Sequence, residues 1–111
     1  MAFNKSSLTA NPIFECEKIS NEEVINKTIK DFCACTKDGV EFFTVRTTDN
    51  KHFFASGALA RLLCDNKCNA FTDEYGNYSF SDVTITVTFN GLRRAKSGRM
   101  YNNWKITVKE W

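Results

Sequence analysis

The clearest alternation in the chain is DVTITVTFNG, residues 82–91, where Val83, Ile85, Val87 and Phe89 alternate with three threonines. One face of such a strand is apolar and the other is wet. WKITVKEW (104–111) repeats the pattern, with Trp104, Ile106 and Val108 on one face and Lys105, Thr107 and Lys109 on the other. Between them LRRAKSGRMYNN reads as a loop hinged at Gly98. Upstream, Asp38-Gly39 is a hairpin turn signal before VEFFTVRT (40–47), which sets Phe42, Thr44 and Arg46 opposite Phe43, Val45 and Thr47. Thr48-Asp49-Asn50 then turns the chain into a short partner strand, KHFFAS (51–56).

Helical spacing is weaker. GALARLLCD follows Ser56, a residue suited to capping, and its Leu59, Leu62 and Leu63 form a buried stripe. ISNEEV predicts a helix start: Ser20 as N-cap, Glu23 completing a capping box, and Ile19 with Val24 as a hydrophobic staple. We read one helical turn there, a bend at Asn26-Lys27, and a strand from about residue 28 to 36. IFECEKI (13–19) predicts a short strand, residues 64–82 predict mostly loop, and residues 1–12 predict a loose terminus ahead of one domain spanning 13–111. The order of three strands, a helix and two strands is that of a mainly β, five-stranded OB-like barrel with its short helix between strands 3 and 4. A small α+β antiparallel sheet is the alternative.

Composition changes the picture through charge. The 111 residues carry 15 Lys/Arg and 13 Asp/Glu, a formal +2, but the charge is segregated. Residues 83–109 hold six of the cations and no acid, which leaves nine cations against 13 acids elsewhere, a balance of −4. A one-sided field of this kind is what a polyanion feels. The N-terminus has no apolar signal core and no stretch is long and apolar enough to span a membrane, so the expected location is the cytoplasm, where five cysteines stay reduced.

Single-stranded nucleic acid needs cations for phosphates and flat side chains for bases. RRAKSGRMYNNWK supplies both: Arg93, Arg94, Lys96, Arg99 and Lys105 for the backbone, Tyr101 and Trp104 for stacking. Trp104 is also in phase with Ile106 and Val108 and equally suits the core. The adjacent pairs Phe42-Phe43 and Phe53-Phe54 each send one ring away from the core unless both faces are covered. Phe42 and Phe53 beside Arg46 therefore join the candidate nucleic-acid-binding set. An acidic surface on a host protein is the alternative partner for the basic segment, and self-association would suit so small a module.

Other chemistry has thinner support. Cys33-Ala34-Cys35 and Cys64-x3-Cys68 loosely suggest zinc, but neither spacing is that of a zinc knuckle, and small buried apolar residues are the favoured reading. His52 is the single histidine, and there is no nucleophile–base set, P-loop or dinucleotide fingerprint. No catalytic residue, metal or cofactor is expected.

ISNEEVINKTIKDF, TKDGVEFFTVRTTDNKHFFASGALARLL and KSGRMYNNWKITV together resemble small proteins of tailed-phage replication regions, often described as single-stranded-DNA-binding or OB-like. The resemblance spans about residues 19–110. It implies an OB-fold and binding of single-stranded DNA with little sequence preference, in phage replication or recombination in the host cytoplasm. Bacterial-type single-strand binders end in an acidic tail; this sequence ends in KITVKEW, which argues against recruitment of that kind.

Overall fold

The computed structural model describes residues 11–66 and 70–110. Among them the protein is mainly β: an open, mixed eight-stranded sheet with one α-helix. The strands are β1 (Glu17–Lys18), β2 (Lys27–Lys37), β3 (Val40–Thr47), β4 (Lys51–Ala55), β5 (Ala70–Thr72), β6 (Asn77–Phe80), β7 (Val83–Arg94) and β8 (Met100–Glu110). Helix α1 (Gly57–Asn66) follows β4, and two 3-10 turns, Pro12–Glu15 and Asn21–Glu23, flank β1.

Most strands lie on one path, β1-β4-β3-β2-β6-β5, while β7 and β8 form a ribbon joined to it through β2. One edge of β2 pairs with β3 from Ile29 to Lys37, with a register slip between Ile29 and Asp31; the other takes β7 at Lys27 and Thr28, then β6 at Phe32 and Cys33. The bend expected at Asn26-Lys27 is present. Asn26 sits at φ 49° and its backbone N–H is held by Thr88 Oγ1 at 2.9 Å, which aims the chain from the 3-10 turn into β2. That turn is shorter than a helix start implies, and the hydroxyl of Ser20 makes no N-cap bond. Ile19 and Val24 are nevertheless both buried.

The core lies between the ribbon and one sheet face. Phe32, Phe43, Val45, Phe53 and Ala55 meet Ile85, Val87 and Trp104, with Leu59 and Leu63 of α1 closing the side. Phe53 stacks on Trp104 with ring centroids 5.6 Å apart, and Phe89 meets Trp104 edge-on at 5.1 Å. Rings in such contacts add about 0.5–1.5 kcal/mol beyond the area they bury.

Three expectations need correction. Residues 64–82 are not mostly loop: β5 and β6 form a hairpin there, and Tyr78 and Phe80 stack on Phe32. The aromatic content of NYSF outweighs its turn-forming neighbours. The IFECEKI strand shrinks to two residues, which pair parallel with β4. The open sheet fits the alternative of a small α+β sheet and does not confirm a five-stranded barrel: among the described residues β4 pairs with β1 and β3, and β8 pairs with β7 alone. Asn11, read with the loose terminus, is buried and exchanges amide hydrogen bonds with buried Asn77 at 2.7 and 3.2 Å. Asn11 caps the first 3-10 turn and Asn77 begins β6, and each amide satisfies what burial would otherwise leave orphaned in the other.

Candidate nucleic-acid interface

The ladder joining β7 and β8 runs from Val83↔Glu110 to Arg94↔Met100, so most of the stretch read as a loop is a β-ribbon. The chain reverses only over residues 95–99, where Ala95 N–H donates to the Arg99 carbonyl at 2.9 Å and Gly98 N–H to that of Ala95 at 2.9 Å. Neither RRA nor GRMYNN shows clean apolar alternation, because beyond the body no core lies under the ribbon to demand it.

Between Phe89↔Trp104 and Leu92↔Asn102 the register slips: Asn90 and Gly91 together face Asn103. This is a β-bulge, and Gly91 takes φ 84°, where a side chain would be strained. The slip decides which side chains share a face. Directly paired residues point the same way, so Leu92, Arg94, Met100 and Asn102 continue the face of Trp104. Arg93 and Tyr101 join Asn103 and Lys105 on the other face. Asn102 confirms the assignment: its Nδ2 donates to Ser56 Oγ at 2.7 Å, at the start of α1. That hydroxyl, expected to cap α1, is engaged with the ribbon instead. Helix and ribbon touch so closely that a Cβ on Gly57 would lie 3.0 Å from the Asn102 carbonyl oxygen.

The outer face of the ribbon is therefore one acid-free surface. Lys105 lies opposite Thr88, Thr107 opposite Thr86, and Lys109 opposite Thr84, with Arg93 and Tyr101 paired further out. Arg93, Arg94, Lys96, Arg99, Tyr101 and Lys105 are all exposed, Tyr101 by 44%. These six candidates lie together on one hairpin.

The other four candidates do not join them. Trp104 is 6% exposed and Phe53 1%, stacked on each other in the core, so no base reaches either ring in this structure. Arg46 makes a two-pronged ion pair with buried Asp31, Nε donating to Oδ1 at 2.7 Å and Nη2 to Oδ2. That hydrogen bond holds the guanidinium proton more tightly than usual, against the opposing pull of burial. Phe42 is half-buried and meets Phe54 edge-on at 5.8 Å.

Phe54 is the ring that the sequence reading missed. It is 42% exposed, with the Lys18 ammonium 4.7 Å from its centroid. The register supplies the signal: Arg46↔His52 and Thr44↔Phe54 put His52 and Phe54 on the face of Arg46, and Phe53 with Val45 in the core. The N-terminal segment covers part of this second sheet face. Phe14 packs edge-on against His52, and the Cys16 carbonyl lies 2.9 Å from His52 Nδ1. Burial pushes the His52 pKa down, the bond to the Cys16 carbonyl pushes it up, and nearby Lys18 pushes it down again.

Cys33 is buried in β2 while Cys64 is exposed on α1; Cys68 and the Cys35 side chain lie outside the described residues, as does Trp111. Among the described residues no three His, Cys, Asp or Glu side chains form a metal-binding group, and no helix is long and apolar enough to cross a membrane. A scan against protein-family models, a search of curated proteins and a search of solved structures found no match to this chain.

Proposed function

We propose that the protein binds single-stranded DNA with little sequence preference and without catalysis, on the outer face of the β7–β8 ribbon. The observation that carries this reading is the pairing of Arg93 with exposed Tyr101 on an acid-free surface continued by Lys105 and Lys109. A strand laid along that face meets cations for its phosphates and a flat ring for a base.

An OB-like reading is supported by connectivity. With the β5–β6 hairpin set aside as an insertion between α1 and β7, the order β2, β3, β4, α1, β7, β8, with β2 pairing both β3 and β7, follows the OB pattern, while β1 lies along the edge of β4 that barrel closure would use. In that reading the ribbon is the last hairpin of the fold, a principal ligand-contacting element. Replication or recombination of a phage chromosome is the role that the family resemblance implies for it.

Titration of a fluorescent oligo-dT at several salt concentrations tests the proposal. Affinity should fall by about 0.7 log units per decade of salt for each phosphate neutralised. No binding at low salt, or binding indifferent to salt, overturns it.

A further inference from the structure

The ribbon has a second face, which the binding of a single strand leaves unused. Leu92 is 62% exposed and Met100 49%, and neither belongs to the core cluster or to the residues packed on it. They are diagonal neighbours on the side that carries Trp104 and Asn102 nearer the body. The apolar face of the ribbon thus runs past the edge of the core and ends in open solvent. Arg94 lies directly opposite Met100 on the same side. Two exposed apolar side chains in a segment where every charge is positive suit a partner that is anionic yet presents apolar flat surface. The end of a base-paired helix has that chemistry: phosphates at its rim and an unstacked base pair at its centre. Apolar wedges of Leu and Met against base steps are an established way for proteins to meet such a surface.

We propose that the preferred ligand is a junction between duplex and single strand, with Leu92 and Met100 seated on the terminal base pair. Arg94 contacts the phosphate at the duplex end, while the emerging strand passes over to Arg93, Tyr101 and Lys105. The ribbon then separates the two parts of one nucleic acid, with a different chemistry on each side. This inference rests on the single-strand reading of the outer face and adds the second face to it.

The test compares three labelled DNAs of equal nucleotide number: a single strand, a blunt duplex and a duplex with a single-stranded tail, with 2-aminopurine at the junction. Wild-type protein should bind the tailed duplex about tenfold more tightly than the single strand, the factor that one added stacking interaction supplies. The 2-aminopurine emission should change on binding. The double variant Leu92→Ser, Met100→Ser should lose that preference and the emission change while keeping single-strand affinity within about twofold. Both residues are exposed, and an unchanged circular dichroism spectrum and melting temperature would show that the fold is retained. Binding of the single strand and the tailed duplex with equal affinity, or a preference that survives the double variant, overturns the inference and leaves the single-strand reading standing. Failure of both DNAs to bind overturns both. Equal affinity for blunt and tailed duplex also overturns it, since a junction would then not be what is recognised.

Discussion

Arg93 and Tyr101 stand directly opposite each other across the β7–β8 ladder, on a face that carries no carboxylate from residue 83 to 109. Replacing Arg93 and Lys105 with Gln should lower single-strand affinity at low salt and flatten its salt dependence by about 0.7 for each phosphate no longer neutralised. Replacing Tyr101 with Ala should lower affinity by about 1–3 kcal/mol and leave the salt slope unchanged, because stacking releases no counterion. Parallel titrations of the two variants against oligo-dT separate the two contributions.

Tryptophan fluorescence should divide in the same way. Trp104 is buried against Phe53, so its emission should follow unfolding and respond little to DNA. In a Trp111→Phe background, a Tyr101→Trp variant should be quenched on titration with single strands, whereas the background protein should not. Truncating Phe53 to Ala should cost about 3–5 kcal/mol of stability, the usual loss for a buried ring. Chemical denaturation measures it.

Arg46 separates stability from binding. Arg46→Met leaves the buried carboxylate of Asp31 without its partner, and removal of one member of such a pair costs about 3–5 kcal/mol. Changing both Asp31 and Arg46 to apolar residues should cost less than Arg46→Met alone. Once the variants are compared as folded protein, single-strand affinity should stay at the wild-type value. A specific loss of affinity would return Arg46 to the binding face.

His52 gives the pH dependence its sign. Burial lowers its folded-state pKa, so between that value and the unfolded value of about 6.5 the unfolded chain binds more protons. The contribution of His52 is therefore complete above about pH 6.5 and is lost as the pH falls below it. Denaturation midpoints measured from pH 8 to 5 should decline below about 6.5, and His52→Gln should remove part of that decline.

Much of the fold could be read from local pattern. VTITVTF alternates cleanly because it has a packed face and a less apolar one, and Asp38 and Gly39 take φ of 54° and 79°, as a tight hairpin turn of that sequence requires. What could not be read depends on partners remote in sequence. Phe53 and Phe54 are chemically identical neighbours; only the pairing of Arg46 with His52 decides which of the two is buried. Tyr78 and Phe80 belong to a strand because Phe32 lies beneath them, though their segment is full of turn formers. The charge of the candidate interface was legible, but its shape was not, since a ribbon without a core beneath it has no alternation to display.

The bulge at Asn90-Gly91 acts on the ribbon as a frameshift acts on a reading frame. Before it, odd-numbered residues of β7 face the core: Val83, Ile85, Val87 and Phe89; after it, the even-numbered Leu92 and Arg94 take over that side. Were the same residues paired one to one without the bulge, Leu92 would stand opposite Tyr101, and Arg93 would lie opposite Met100 on the side of α1. Deleting one of the two bulge residues would instead leave Leu92 opposite Asn102 and Arg93 opposite Tyr101, because the ladder beyond would run on in its present register. The extra residue is thus absorbed where it stands, and a protein shortened by it would present the same guanidinium beside the tyrosine.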